Sequence, residues 1–380
     1  MTDRRGRRSD AGNGAVAART AGRFRFLVTL TVAVVGLALS PAMGALAAVP
    51  TANPDAQVGK QVATYCGNGI SAINVELPAG FNPLTATDAQ LVANGLPERP
   101  AGGADLVTWE RYVTGKVKRQ PATCDLRQSA AAQAQAPAVQ AGPAAPAAAS
   151  HASPNWAGWV LGGHTYTDAY ASWRVPNVVR HPARFTAFSS SWVGIDAGNS
   201  KGTPLVQAGS EADYYVGQPP GYYIWWQVVP QLGHQETVAL ARANDLISVH
   251  VHLTHDDAVM TVHDETTGGG GMYSYTTGTF NPGRQAEWIL ERTDELGGNG
   301  HYLPPLASAT TTFTGAEVSG SGVSKRGIGA IPDRSKDVMY TCTRPYVKLA
   351  NPGAISGNTK FTDYWDAFGH QDKPGCTPHE

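Results

Sequence analysis

YYIWWQVV (222–229), LISVHVHL (246–253), AVMTVHD (258–264) and AEWILE (286–291) decide the fold class, because side-chain character alternates at every other residue in each of them. Alternation with period two marks a strand whose two faces meet different surroundings. TAFSSSWVGI (186–195), MYSYTTGTF (272–280), ATTTFTGAEV (309–318) and FTDYW (361–365) extend the series, with Gly, Pro, Asn and Asp between the runs. Short strands divided by turn residues predict an all-β fold, an antiparallel sandwich or barrel. No long segment of helical period and no internal repeat interrupts this region.

The alternation also sorts residues by face. Trp192, Gly194 and Asp196 oppose Val193 and Ile195. Tyr223, Trp225 and Gln227 oppose Ile224, Trp226 and Val228. Glu287 and Glu291 oppose Trp288 and Leu290. One face of each strand is core-like, and the other mixes tryptophan with acids and amides. Such a face predicts a groove for an extended polymer, peptide or sugar.

Residues 1–25 hold seven Arg against Asp3 and Asp10, and FLVTLTVAVVGLALS (26–40) follows without a charge. Fifteen apolar residues are short for a membrane span, and the small residues Ala45-Leu46-Ala47 come next, so 1–47 reads as a secretory signal peptide. The expected protein is secreted and extracellular, with no membrane attachment after cleavage. Without residues 1–25 the chain has 22 basic and 28 acidic residues, the wrong sign for a nucleic-acid binder. Twelve Ala lie within 129–150, a low-complexity stretch with little to bury. The organisation is therefore an N-terminal mixed segment that reads as propeptide-like or as an accessory domain (48–128), an Ala/Pro/Gln linker (129–153), a main domain (154–368) and a tail (369–380).

Cys66, Cys124, Cys342 and Cys376 form an even set in an exported chain, which favours disulfides. Three pairings are formally possible; Cys66–Cys124 and Cys342–Cys376 respect the segment boundaries. His250, His252, His255 and His263 cluster in sequence but lack a carboxylate at a known zinc spacing, so they read as the polar outer face of a strand. The chain has no HExxH or P-loop motif, and the other copy of Asp196-Ala197-Gly198, at residues 10–12, lies in the signal peptide, where it cannot serve as the second aspartate of a two-aspartate peptidase.

NWAGW (155–159), SSSWVGIDAG (189–198), PLVQAG (204–209), YYIWWQVVP (222–230), AEWILE (286–291) and LPPLAS (303–308), in that order, resemble the glutamic peptidases, or eqolisins. The resemblance covers about residues 154–366. It implies a two-sheet antiparallel β-sandwich of the legume-lectin type and a secreted endopeptidase. It places the catalytic pair at Gln207 and Glu287. Trp156, Trp192, Asp196, Glu211, Tyr223, Trp225 and Gln227 match substrate-groove positions. Tyr223 and Gln227 stand where fungal members usually carry acids. The reaction so implied needs no metal, cofactor or covalent nucleophile, and the partner is an extended peptide or unfolded protein acted on by a monomer. Fewer acids around Glu287 predict a working pH of about 4–6 rather than near 2. A non-catalytic lectin-like module binding carbohydrate or peptide is the alternative, since it would use the same tryptophan face.

Overall fold

The computed structural model describes residues 58–128, 150–179, 186–196, 204–276, 283–293, 306–308, 310–342, 344–367 and 372. The N-terminal segment contributes β1 (Lys60–Gly67), β2 (Ile70–Glu76), α1 (Asp88–Ala93), α2 (Gly103–Val113) and β3 (Arg127–Gln128). The main domain begins with β4 (Ser150–Ser153), β5 (Trp156–Leu161), β6 (Thr165–Arg174), β7 (Ser190–Asp196) and β8 (Leu205–Asp213). It continues with β9 (Gly221–Val229), β10 (Glu236–Leu240), β11 (Leu246–Leu253), β12 (Asp257–Asp264), β13 (Gly270–Thr276) and β14 (Gln285–Glu291). β15 (Thr311–Ser321), β16 (Val323–Gly327), β17 (Arg334–Tyr340), β18 (Lys348–Pro352) and β19 (Phe361–Trp365) complete it.

Two antiparallel sheets share β15. The first runs β1-β2-β13-β12-β11-β6-β15-β16. The second runs β3-β10-β9-β8-β7-β14-β5-β17, and β18 and β19 lead from β17 back to the start of β15. The short β4 lies parallel to β17. The sheets pack face to face through a core of Val193, Ile195, Val206, Trp226 and Trp288 from one and Ala171, Trp173, Val249, Val251 and Val262 from the other. Indole donors buried there find partners across the gap: Trp173 Nε1 donates to Ser210 Oγ at 2.9 Å, and Trp288 Nε1 donates to the Tyr170 carbonyl at 3.0 Å. Trp226 stacks on Tyr273 with ring centroids 5.8 Å apart. The all-β fold expected from the alternation is thus observed, in the form of the two-sheet sandwich that the resemblance implied.

The N-terminal segment is built onto the first sheet. β2 pairs with β13, aligning Ile73 with Met272. Thr87 and Gln90 form a reciprocal cap on α1. α2 stops at Thr114 because Gly115 takes φ +75°, the left-handed conformation that ends helices. Leu91, Leu96, Trp109, Tyr112 and Val113 make the segment's own small core. This core rests on the outer face of the first sheet: the Tyr112 and His263 rings are 5.5 Å apart, Arg174 pairs with Asp105 at 2.7 Å, and Lys325 pairs with Glu98 at 2.6 Å. The outer face of the second sheet, which carries Gln207 and Glu287, lies on the other side of the sandwich. Cys66 is bonded to Cys124. Cys342 is also in a disulfide, and Cys376 lies outside the described residues, as do the signal peptide and residues 129–149 of the linker, whose last four residues form β4.

Glu265, fully buried, is raised to about 8 by that burial, which outweighs the hydroxyl at Ser248 and is reinforced by Asp105 and Asp264. A carboxyl raised in the folded state stabilises the fold below its unfolded value, and that contribution is lost as pH climbs through the folded value. His263, lowered to about 4 chiefly by burial, acts oppositely but only below about 6.5. Between pH 6.5 and 8 His263 no longer opposes the carboxyl, Glu98 and Glu291 add to the fall in the same interval, and the share of Glu265 in the loss of thermal midpoint is expected to be about 5 °C. Glu265→Gln should flatten the fall in a scan of unfolding against pH; an unchanged slope would refute this assignment.

Candidate active site

The predicted site residues occupy one face of the second sheet, and the strand registers set them in transverse rows. In the central row Gly194 of β7 pairs with Gln207 of β8 on one side and with Glu287 of β14 on the other. Gln207 in turn pairs with Gln227 of β9, and Glu287 with Val160 of β5. The next row holds Trp225, Gly209, Trp192, Ile289 and Gly158, and the one beyond it Tyr223, Glu211, Ser190, Glu291 and Trp156. Asp196 lies on the opposite side of the central row, paired with Leu205 and Gln285.

Glycine makes this arrangement possible. Gln207 and Glu287 stand two strands apart, roughly 10 Å between backbones. Their long side chains can meet only across a residue that does not fill the gap, and Gly194 is that residue. A Cβ on Gly194 would lie 2.9 Å from the Trp192 ring and 3.1 Å from a Leu205 methyl. At Gly209 a Cβ would collide with the Ser191 carbonyl and with Trp192. The Trp192 indole thus lies over Gly194 while Gly209 leaves room for its Cα and Cβ, and Trp156 meets the indole edge-on at 5.1 Å.

The face is closed rather than an open groove. Gln207 is 6% exposed and Glu287 1%, while Trp156, Trp192, Asp196, Glu211, Trp225 and Gln227 are buried and Tyr223 half-buried. This departs from the groove expected on the alternation pattern. Trp156, Val160, Trp192, Leu205, Trp225 and Ile289 form an apolar cluster of their own on this face.

The polar atoms within that cluster are specific. Gln207 Nε2 donates to Gln227 Oε1 at 3.2 Å, and Gln227 Nε2 donates to the Leu232 carbonyl at 3.3 Å. Gln227 therefore orients the Gln207 amide and leaves one of its two N–H groups uncommitted. Glu287 Oε2 and Gln207 Oε1 have no protein partner. Buried polar atoms left in that condition suit a ligand or a water. Glu287 is raised well above the ordinary glutamate value, first by burial and then by Asp196, Asp337 and Glu291. Burial dominates, as the tryptophans around it suggested, but the expected scarcity of neighbouring carboxylates is corrected. Two acids are lost at Tyr223 and Gln227, yet Asp337 of β17 and Glu291 of β14 remain within its field.

Glu291, which shares a face with Glu287 four residues earlier, is a further residue of the site. Its Oε2 accepts from Trp192 Nε1 at 2.7 Å and its Oε1 from Asn155 Nδ2 at 3.1 Å. Burial raises it to about 7 against those hydrogen bonds. It anchors the Trp192 indole. The histidine cluster divides: His255 is exposed beside Asp256, His263 is buried under α2, and His250 and His252 turn to Asp168 of β6 rather than to open solvent.

The peptidase A4 family matches residues 154–343, which contain every one of these candidate positions. The chain belongs to the peptidase A4 family. The resemblance to glutamic peptidases therefore stands. Aspergillopepsin-2 of Aspergillus niger is 28% identical over 191 residues, covering 45% of this chain and 66% of that relative. The chain thus spans just under two thirds of the length of this curated relative. Among solved structures, scytalido-glutamic peptidase with a transition state analog inhibitor is 22% identical at a TM-score of 0.45, covering 56% of this chain and 98% of that one. The eqolisin SCP-B, in complex with the tripeptide Ala-Ile-His, is 20% identical at 0.43, with the same coverage.

Proposed function

We propose that this A4-family chain is a secreted endopeptidase that hydrolyses peptide bonds with Glu287, Gln207 and an activated water. The observation that carries the reading is that one buried carboxyl and one buried carboxamide stand in one row on either side of Gly194, on the tryptophan-lined face of the family-matched domain. Hydrolysis of an amide needs a nucleophilic water, a stabilised oxyanion and a protonated leaving nitrogen. Glu287 takes the proton from the water and returns one to the departing amine. The Gln207 N–H not committed to Gln227 donates to the oxyanion. The face lined by Trp156, Trp192 and Trp225 is where an extended peptide or unfolded protein binds, and because these indoles are buried it must open to admit one. A lectin-like role would use the tryptophans but leave the Gln207–Glu287 pair without work.

The test is incubation of purified protein with a denatured protein at pH values from acid to neutral, with pepstatin and EDTA both present. Cleavage that survives both inhibitors is the expected result. No cleavage at any pH would refute the reading, and loss with EDTA would move it to metal-dependent chemistry.

The pH profile carries a further expectation. Glu287 must be ionised to act as base, and its value is raised, so the acidic limb should lie above the ordinary glutamate value of 4.5. After burial, the negative charge of Asp196 contributes most to that elevation. Removing its negative charge eases ionisation, so Asp196→Asn should move the acidic limb of kcat/KM to lower pH. A limb that stays in place or moves upward would show that Glu287 is not the group being titrated.

A further inference from the structure

The outer face of the first sheet carries a cluster on the opposite side of the sandwich from Gln207 and Glu287. Asp168 of β6 is paired directly with His252 of β11, and His250 lies two residues earlier on the same face. His250 Nε2 and His252 Nδ1 lie 3.0 and 2.7 Å from one and the same atom, Asp168 Oδ1. The other carboxylate oxygen is held by Ser319 Oγ and Thr167 Oγ1, each at 2.7 Å. Two hydroxyls therefore clamp the carboxylate and aim its remaining oxygen between two imidazole nitrogens. Three neighbouring strands supply these groups, so their spacing is fixed by the sheet rather than by a loop. On β12 the residues facing His250 and His252 are Thr261 and Val259, neither of them charged.

One potential ligand atom from each of Asp168, His250 and His252 lies within 4.8 Å of the others. Around a tetrahedral zinc, with bonds of about 2.0–2.1 Å, neighbouring ligand atoms are roughly 3.3 Å apart. The observed 3.0 and 2.7 Å separations need to open by about 0.3 and 0.6 Å, and the two imidazole nitrogens, within 4.8 Å of one another, need only settle onto the ion. Two imidazoles and one carboxylate are a borderline donor set suited to a first-row divalent cation. His252 is buried, whereas the His250 and Asp168 side chains keep 13% and 25% of their surface exposed, so an ion has a way in and a water can complete its shell.

We propose that Asp168, His250 and His252 form a site for a divalent transition metal of the zinc class, with Ser319 and Thr167 orienting the carboxylate. The ion joins β6 to β11 and plays no part in the peptide hydrolysis proposed above. EDTA in the cleavage assay empties this site, and cleavage is expected to persist.

The test uses tag-free protein stripped with EDTA and dialysed, titrated with zinc chloride at neutral pH by calorimetry and with cobalt(II) by visible absorption. The expected result is one ion per chain, cobalt bands typical of mixed nitrogen and oxygen ligation, and a higher thermal midpoint in zinc. His250→Ala, at the accessible rim, and Asp168→Asn should each weaken binding by at least about tenfold. His255→Ala, outside the cluster, should leave binding unchanged. Should Asp168→Asn fail to fold, the rim variant and the wild-type cobalt spectrum still decide. Absence of binding at about 100 µM zinc would overturn the proposal, as would binding that survives His250→Ala.

Discussion

Glu287→Gln is expected to abolish peptide hydrolysis, with kcat/KM falling at least about a thousandfold, within the range for loss of a general base, while the protein remains folded. The size follows from the role: the amide cannot take a proton from water, and no other carboxyl pairs with Gln207 across Gly194. Glu291 is engaged with Trp192 and Asn155, and Asp196 sits one row away. The folding expectation follows from burial. Glu287 is raised well above the ordinary value, so in acid the native group is already uncharged. An uncharged isostere then removes no ion pair and opens no cavity. Turnover of a denatured substrate and the thermal midpoint at about pH 4.5 measure both halves. Retention of more than about a tenth of wild-type activity would remove Glu287 from the mechanism.

Gln207→Ala is expected to cost roughly 10²–10³ in kcat, the scale for one oxyanion donor. The loss should fall on kcat rather than KM, because the donor's bond strengthens only as charge develops. Part of the loss is organisational: Gln227 holds the Gln207 amide, so Gln227→Ala should lower kcat by a smaller factor while leaving the donor in place. A Gln207→Ala variant with normal kcat and raised KM would recast Gln207 as a substrate-binding group.

Much of this was legible in the chain because alternation carries both strand identity and face. Tyr223, Trp225 and Gln227 do share a face, as do Glu287 and Glu291, and the strands at 246–253 and 286–291 lie close to where their patterns place them. β8 was legible only as a motif. Its residues, LVQAGSEAD, are buried on both faces, so polarity does not alternate with exposure. The hairpin of β1 and β2 went unread although Gly67-Asn68-Gly69, all at positive φ, marks its turn. KQVATYCG is too polar to look like a core strand, and it is an edge strand. Closure of the active face was not legible, since it depends on the Trp192 indole lying over Gly194 one row away. Asp168 escaped as the partner of His250 and His252 because it stands more than eighty residues earlier in the chain; only the register of β6 on β11 brings the three together. Glu291 was visible on the right face but lacked a partner until Asn155 and Trp192 were seen to meet it.

The central claim is that Gln207 and Glu287 act on one reacting centre as a unit. Its most direct measurement is a double-mutant cycle in kcat/KM with Glu287→Gln, Gln207→Ala and the combined variant, each checked for an unchanged thermal midpoint. Groups that serve the same transition state are grossly non-additive. The account predicts that the double variant is no slower than Glu287→Gln alone, within about threefold. Losses that multiply as for independent sites, or a double variant that still cleaves at a rate near wild type, would contradict it.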